Sequence, residues 1–280
     1  MVLMDKLRFG TAGIPLSTQP YNTLAGIQKV RSLGLDAMEL EFVRNINVSE
    51  KAAPEVKKIA EKNDVVLTCH ASYFINLNSK DNKKLADSID RLKNAAVRAF
   101  ECGAVSVCFH AGFYQNDKPE DVYIKIKKIL SDISGFLELH RCKIWLRPET
   151  TGKGSQFGSI DEILSLSAEL ENVMPCVDFS HMHARSGGKL NTYLEFSEIL
   201  QKIEKFLGSK ALEEMHIHVS GIEYSSKGER NHLNLQESDF NYKDLLKALK
   251  DFDCKGVLIS ESPNIEGDAI IMKRAYDKLQ

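Results

Sequence analysis

The chain has 280 residues, of which 43% are hydrophobic and 27% charged, with 37 basic against 39 acidic side chains and a net charge of −2. Such a chain builds a full core without disulfide or metal staples, and its composition excludes a disordered chain. The near-zero balance excludes a global positive field, so any nucleic-acid contact must come from a local patch. No apolar run approaches the ~20 residues that span a bilayer, and the opening MVLMDKLRF lacks the apolar stretch of a signal peptide. Six cysteines without a CxxC pair read as reduced thiols, so a cytoplasmic protein without a membrane partner is expected.

In chain order, short β-branched or apolar runs alternate with longer amphipathic stretches. The runs are Leu7–Gly13, Ala37–Val43, Val65–Ala71, Val105–Gly112, Lys143–Glu149, Met174–Ser180, Met215–Gly221 and Gly256–Glu261. Helical spacing covers Ala53–Lys62, Leu85 to Ala99, Asp121–Leu139, Ile160–Leu170, Thr192–Phe206, Lys243–Phe252 and Asp268–Leu279. Eight strands alternating with helices predict a (β/α)8 TIM barrel in a single domain over 1–280, with a doubly wound open sheet as the competing architecture. The first βα turn, FGTAGIP, has no GxGxxG fingerprint and argues against a dinucleotide site.

The polar residues sit where these strands end: His70, His110, Arg147 with Glu149, Asp178 with His181, His216 with His218, and Glu261. Parallel barrel strands converge at their C-terminal ends, so these groups should share one mouth. Buried carboxylates repel and are costly; divalent cations relieve both problems, and mixed imidazole and carboxylate donors suit zinc or manganese. One such histidine alone would read as a hydrogen-bonded rim residue; recurrence on six consecutive strands favours a metal site. His218 shares a strand face with His216 and reads as ligand, supporting partner or packing. His140 reads as a helix cap, His183 as a rim residue, and Cys69, Cys108 and Cys176 as buried apolar side chains.

The segments HASYFINL at 70–77, FHAGF at 109–113, PETTGKGSQFG at 148–158, VDFSH at 177–181, MHIH at 215–218 and ISESP at 259–263 occur in an order that resembles the endonuclease IV type of apurinic/apyrimidinic endonuclease. The resemblance runs over almost the whole chain and implies a barrel of the xylose-isomerase-like superfamily holding zinc. It implies His70 and His110 on one ion, Glu149 bridging to a second held by Asp178, His216 and Glu261, and His181 on a third. The family's D-R-H motif completes the third site, but here the segment reads Gly228-Glu229-Arg230-Asn231-His232. Glu229 can replace the Asp, whereas Asn231 stands where the family has a ligand His. Either His232 moves into place, or Glu229 holds a weaker ion, or two metals bind, with His218 or His183 as further candidates. The implied reaction is hydrolysis of the phosphodiester 5′ to an abasic site in duplex DNA, with Glu261 and Glu149 as catalytic carboxylates and a monomer expected. Arg44, Tyr73 and Phe74 fall where the family contacts DNA, and an aromatic ring can stack on an opened step. Loop packing is the alternative reading of Tyr73 and Phe74, ranked below duplex contact.

Lys153, Arg185, Lys189, Lys227 and Arg230 are loop cations that could meet phosphates. The lysine-rich segments at 56–62, 83–94 and 125–128 read as solvated outer helix faces. A divalent-metal-dependent sugar isomerase or epimerase of the same superfamily is the rival function, with manganese as a possible ion and Glu149 and Glu261 as its acid/base pair. A non-catalytic binder that keeps metal for stability ranks last, because a barrel of this size does not need that support.

Overall fold

A computed structural model describes residues 4–279. Its strands are β1 Leu7–Ala12, β2 Ala37–Glu41, β3 Val66–His70, β4 Ser106–Phe109, β5 Gly112–Phe113, β6 Trp145–Pro148, β7 Gln156–Phe157, β8 Cys176–Asp178, β9 Met215–Val219, β10 Gly221–Ser225, β11 Gly228–Leu233 and β12 Gly256–Ser260. Its helices are α1 Thr23–Ser32, α2 Ala53–Lys62, α3 Asn82–Glu101, α4 Pro119–Leu139, α5 Ile160–Glu169, α6 Phe179–Arg185, α7 Tyr193–Leu207, α8 Lys210–Glu213, α9 Tyr242–Asp251 and α10 Glu266–Asp277.

Eight strands pair in the order β6-β4-β3-β2-β1-β12-β9-β8, every pairing parallel. The ends of this sheet meet through the bridges Leu146↔Val173 and Glu149↔Cys176. The amides of Leu146, Met174 and Thr150 donate across that seam to the carbonyls of Asn172, Leu146 and Cys176 at 2.9–3.1 Å. The ring is therefore a closed TIM barrel, held more thinly between β6 and β8 than elsewhere.

The main core lies outside the ring, between strands and helices. On α3, Leu92, Ala95, Ala96 and Ala99 are buried, as their helical spacing predicts, and their small size lets the helix approach the strands. Charged residues on α2, α3 and α4 face outward, consistent with solvated surfaces. The interior of the ring is different. Among the described residues its apolar cluster is Ala37, Val257 and Ile259, with Met4, Ala12 and Val66 against it, where a TIM barrel ordinarily stacks branched aliphatics. Glu39, Thr68, Ser106, Cys108, Arg147, Cys176, His216 and His218 occupy the rest and are all buried.

Several elements depart from the sequence reading. The run predicted over Met174–Ser180 stops as a strand at Asp178, because Asp178 caps α6: its Oδ1 accepts from the His181 amide at 2.6 Å. Ser180 and His181 thus stand on a helical turn instead of a strand. Helix α1, the hairpin β10–β11 and the short ribbon β5–β7 carry little hydrophobic periodicity and went unpredicted.

Candidate metal centre

Side chains alternate along a strand, so residues two apart point the same way and lie about 6.6 Å apart in depth. At the C-terminal mouth this gives a rim layer of Glu41, His70, His110, Glu149, Asp178, His218 and Glu261. Two residues earlier on the same strands lies a second layer that includes Glu39, Thr68, Cys108, Arg147, Cys176 and His216.

Glu149 is the hub of the rim. Its Oε2 lies 3.3 Å from both His70 Nε2 and His110 Nε2. Its Oε1 lies 3.1 Å from His181 Nδ1 and 3.6 Å from His218 Nδ1. Ligand atoms of Glu149, Asp178, His218 and Glu261 all fall within 4.8 Å of one another, and so do those of His110, Glu149 and His181. His70 is oriented by a 2.7 Å contact of Nδ1 with the Ala71 carbonyl, which leaves Nε2 free to face inward.

The third group is assembled by an irregular hairpin. In β10–β11, Glu223 pairs with Asn231 and Tyr224 with Glu229, so Arg230 is the extra residue of a bulge. Regular alternation would put Glu229 and His232 on opposite faces; the bulge turns both toward His181. His181 Nε2 lies 3.3 Å from His232 Nε2 and 3.6 Å from Glu229 Oε2. Asn231 points away and donates to Glu223 at 2.9 Å. Of the three arrangements left open by the sequence, the structure has His232 beside His181.

His216 does not share the mouth. Two residues below His218 on β9, it contacts Glu39 Oε2 at 3.0 Å and Ser106 Oγ at 3.1 Å. His218 takes the position next to Glu261, at 3.4 Å from its Oε1. The MHIH motif offers two equivalent inward histidines, and strand register alone decides which reaches the rim. Arg147 also turns downward, donating to the carbonyls of Pro175 and Glu214. Glu41 was not singled out, since its strand AMELE reads as an ordinary apolar run with a solvated end.

The charge balance of the rim points to cations. Burial, and then Glu39, lifts Glu41 to about 8. Burial pushes Asp178 well above the carboxylate range, with Glu261 and Glu149 adding to the rise against the pull of His181. Burial also opposes charge on Glu149, but His110, His218 and His181 hold it well below that range. Burial disfavours the His70 imidazolium, yet Glu149, Glu41 and Glu39 outweigh it and raise His70 to about 10. The donor set fits divalent ions on a separate ground: both oxygens of Glu149, Asp178 Oδ2, Glu261 Oε2 and His218 Nδ1 are buried and make no hydrogen bond. Buried polar atoms left without a hydrogen bond are costly unless an ion lies among them.

A cleft of about 310 Å³ opens on this rim, lined by His70, His110, His181, Glu229, His232 and Glu261 together with Tyr73, Phe113 and Lys153. Tyr73 and Phe74 project from the loop after β3, 61% and 64% exposed. Their loop is tied to the one carrying Arg44 by the Tyr73 amide, which donates to the Val43 carbonyl at 3.0 Å. Arg44 is exposed. Arg185 is turned into the 151–156 loop, where Nη1 donates to Thr151 Oγ1 and to the carbonyls of Thr151, Lys153 and Gln156. Arg230 pairs with Glu223. His183 is in none of the rim groups and is held by Asp239 and the Leu190 carbonyl, and His140 caps α4 by reaching the Phe136 carbonyl at 2.8 Å. All six cysteines are free and buried.

The profile of xylose isomerase-like TIM barrels matches residues 27–277. The chain belongs to that family. An uncharacterised protein of Methanocaldococcus jannaschii is 46% identical over 273 residues, 98% of each chain. A probable endonuclease 4 of the aster yellows witches'-broom phytoplasma is 29% identical over 244 residues, 82% of each chain. Among solved structures, endonuclease IV from Thermus thermophilus superposes with a TM-score of 0.71 at 19% identity, covering 95% of this chain and 97% of that one. A D-tagatose 3-epimerase-like protein superposes with a TM-score of 0.72 at 19% identity, covering 96% of both. At such identities the superpositions establish the fold of this xylose isomerase-like barrel. No helix among the described residues is long and apolar enough to cross a membrane.

Proposed function

We propose that this chain is a divalent-metal-dependent endonuclease that hydrolyses the phosphodiester 5′ to abasic sites in duplex DNA, with zinc as the preferred ion. The observation that carries the reading is Glu149, a buried carboxylate whose two oxygens face different imidazole sets without hydrogen-bonding to any of them. In this reading His70, His110 and Glu149 hold one ion, Glu149, Asp178, His218 and Glu261 a second, and His181, Glu229 and His232 a third. Ions so placed supply positive charge to the phosphate oxygens and acidify a water. Glu261, whose side chain is 10% exposed at the edge of the cleft, would orient the attacking water and accept its proton. Glu149 fixes the spacing of the two imidazole sets, and its own charge balances them. Tyr73 and Phe74 enter the duplex beside the lesion, where a missing base lowers the cost of opening the step. Arg44 and Lys153 meet backbone phosphates, which gives the modestly acidic chain its local positive contact.

A sugar epimerase is the second reading, favoured by the superposition on the D-tagatose 3-epimerase-like protein. Its chemistry needs two carboxylates as an acid/base pair around one ion, and Glu149 with Glu261 could serve. The imidazole-rich rim and the exposed aromatic pair favour the nuclease. The test is incubation of metal-loaded protein with an abasic duplex and, separately, with ketohexoses. Nicking 5′ to the abasic site is expected. Ketohexose turnover without nicking would decide for the epimerase.

A further inference from the structure

Beneath the rim, the barrel interior gathers a second set of donors that the proposed reaction does not use. Ligand atoms of Cys108, Cys176, His216 and His218 all lie within 4.8 Å of one another, and all four residues are buried. His218 Nε2 is 3.2 Å from His216 Nε2 and 3.8 Å from Cys108 Sγ. For zinc bonds of about 2.0–2.1 Å to nitrogen and about 2.3 Å to sulfur, a tetrahedron places two nitrogens about 3.3 Å apart and nitrogen and sulfur about 3.6 Å apart. These two spacings match a tetrahedral ion, and the remaining pairs fall within 4.8 Å of one another. His216 Nδ1 faces Ser106 Oγ at 3.1 Å, a partner that leaves Nε2 as the donor aimed inward. Glu39 lies against the same atoms, 3.0 Å from both imidazoles and 3.5 Å from Cys108 Sγ, and its buried Oε1 makes no hydrogen bond.

We propose that the barrel interior holds a second class of metal site, a thiolate–imidazole zinc site built from Cys108, Cys176, His216 and His218, distinct from the carboxylate-rich ions of the rim. Soft sulfur donors select zinc here, whereas the rim's oxygens accept harder ions as well. Binding converts two thiols to thiolates and releases their two protons to solvent; where a rim ion is also held by His218 Nδ1, the shared ring gives up its remaining N–H proton to solvent as well and bridges as an imidazolate. The placement supplies a purpose. Cys108 is on β4, Cys176 on β8 and the histidines on β9, so the ion ties strands across the thin β6/β8 seam. It also takes the place of the aliphatic layer that this interior lacks. A cavity of about 230 Å³ at the opposite end of the barrel, lined in part by Ser106 and His216, gives the ion a route in. His218 presents Nδ1 to the rim and Nε2 to this layer, so the inner ion also fixes the ring that the rim uses.

The test is spectroscopic and does not depend on the reaction. Metal-free full-length protein is titrated with cobalt(II), whose bond to a thiolate gives a charge-transfer band in the near ultraviolet; Cys176 is no part of the rim groups. A band saturating at one equivalent is expected. In Cys176→Ser, the band should fall roughly by half and the inner equivalent should bind at least tenfold more weakly, with folding checked by circular dichroism. Full cobalt loading of the wild type without any thiolate band would overturn the site, and so would a Cys176→Ser titration identical to the wild type. If Cys176→Ser fails to fold, the wild-type band decides by its intensity: that of two thiolates supports the site, and that of one, which Cys108 could give beside His70 and Glu149, overturns it. A thiolate band in a protein that nicks no abasic duplex supports the inner site and sinks only the nuclease reading.

Discussion

The Nε2 atoms of His181 and His232 lie 3.3 Å apart, although one residue stands on a helix begun by Asp178 and the other on a bulged hairpin. The bulge at Arg230 is what lets Glu229 join them, so an E-x-x-H spacing on one hairpin strand faces His181. His232→Ala should remove one metal equivalent as measured by elemental analysis. Asn231→His should restore nothing, because position 231 faces Glu223. Restoration by Asn231→His in the His232→Ala background would show that the hairpin register is wrong.

Glycine at 152 is part of the same construction. The Glu229 amide donates to the Gly152 carbonyl at 3.0 Å, and a Cβ built on Gly152 would lie 2.6 Å from the Glu229 side chain. Gly152→Ala should push Glu229 away from His181 and weaken the third ion about tenfold or more. The thermal midpoint of the metal-free protein should change little, because the affected loop lies outside the core. Isothermal titration of each protein with zinc separates these effects.

Glu261 is expected to act through its charge and not through packing. Glu261→Gln keeps the shape of the side chain, and loss of a positioned general base typically costs about 10²–10⁴-fold in rate. Single-turnover nicking should fall by about that factor, while affinity for an abasic duplex stays within about threefold. A proportionate loss of binding would make Glu261 a structural ligand only.

The barrel was legible because all eight strands announce themselves as short apolar runs, with an amphipathic helix between every neighbouring pair except the first two. The rim was legible because His70, His110, Glu149, Asp178 and Glu261 recur at strand ends, a pattern that needs only chain order and parallel topology. What sequence could not settle was depth. His216 and His218 differ by one pleat, and only the register of β9 against β8 and β12 lifts His218 to Glu261. Glu41 and Glu39 hid inside a run that looks apolar. The signal available was the residue two before each rim group: Glu39, Thr68, Cys108, Cys176 and His216 line up as a second polar layer once the first is recognised. The Arg230 bulge had no such signal, since an extra residue in a hairpin is set by its partner strand.

Tyr73 and Phe74 give the reading its DNA-specific prediction. Both rings are largely exposed, and Phe74 has the Arg91 guanidinium 6.0 Å from its centroid. Truncation of exposed side chains usually changes stability by less than about 0.5 kcal/mol, whereas a base stacked on an aromatic ring is worth about 1–3 kcal/mol. Tyr73→Ala and Phe74→Ala should therefore leave the thermal midpoint unchanged and weaken abasic duplex binding by roughly 5- to 150-fold each. Their effect on an intact duplex should be much smaller, because no step is opened there. Equal weakening on both duplexes would assign these rings to general surface contact.

Removal of metal should be felt by the whole barrel, because the unpartnered acceptors of Glu149, Asp178, Glu261 and His218 sit on different strands. Without ions, the cost of these unpaired buried atoms would loosen the mouth; bound ions would tie β6, β8, β9 and β12 together through the same atoms. A ligand that binds only the folded state stabilises it by about 2.7 kcal/mol at a hundred times its dissociation constant. Several ions bound to one rim should exceed that figure. Dialysis against a chelator should lower the thermal midpoint by several degrees, and readdition of zinc should restore it. Calcium should restore little, since the rim is rich in imidazole and calcium prefers oxygen. The helices should persist in far-ultraviolet circular dichroism at low temperature, because the aliphatic core between strands and helices does not involve the rim. A midpoint indifferent to chelation, with metal shown absent by elemental analysis, would mean that the rim is balanced by protons alone.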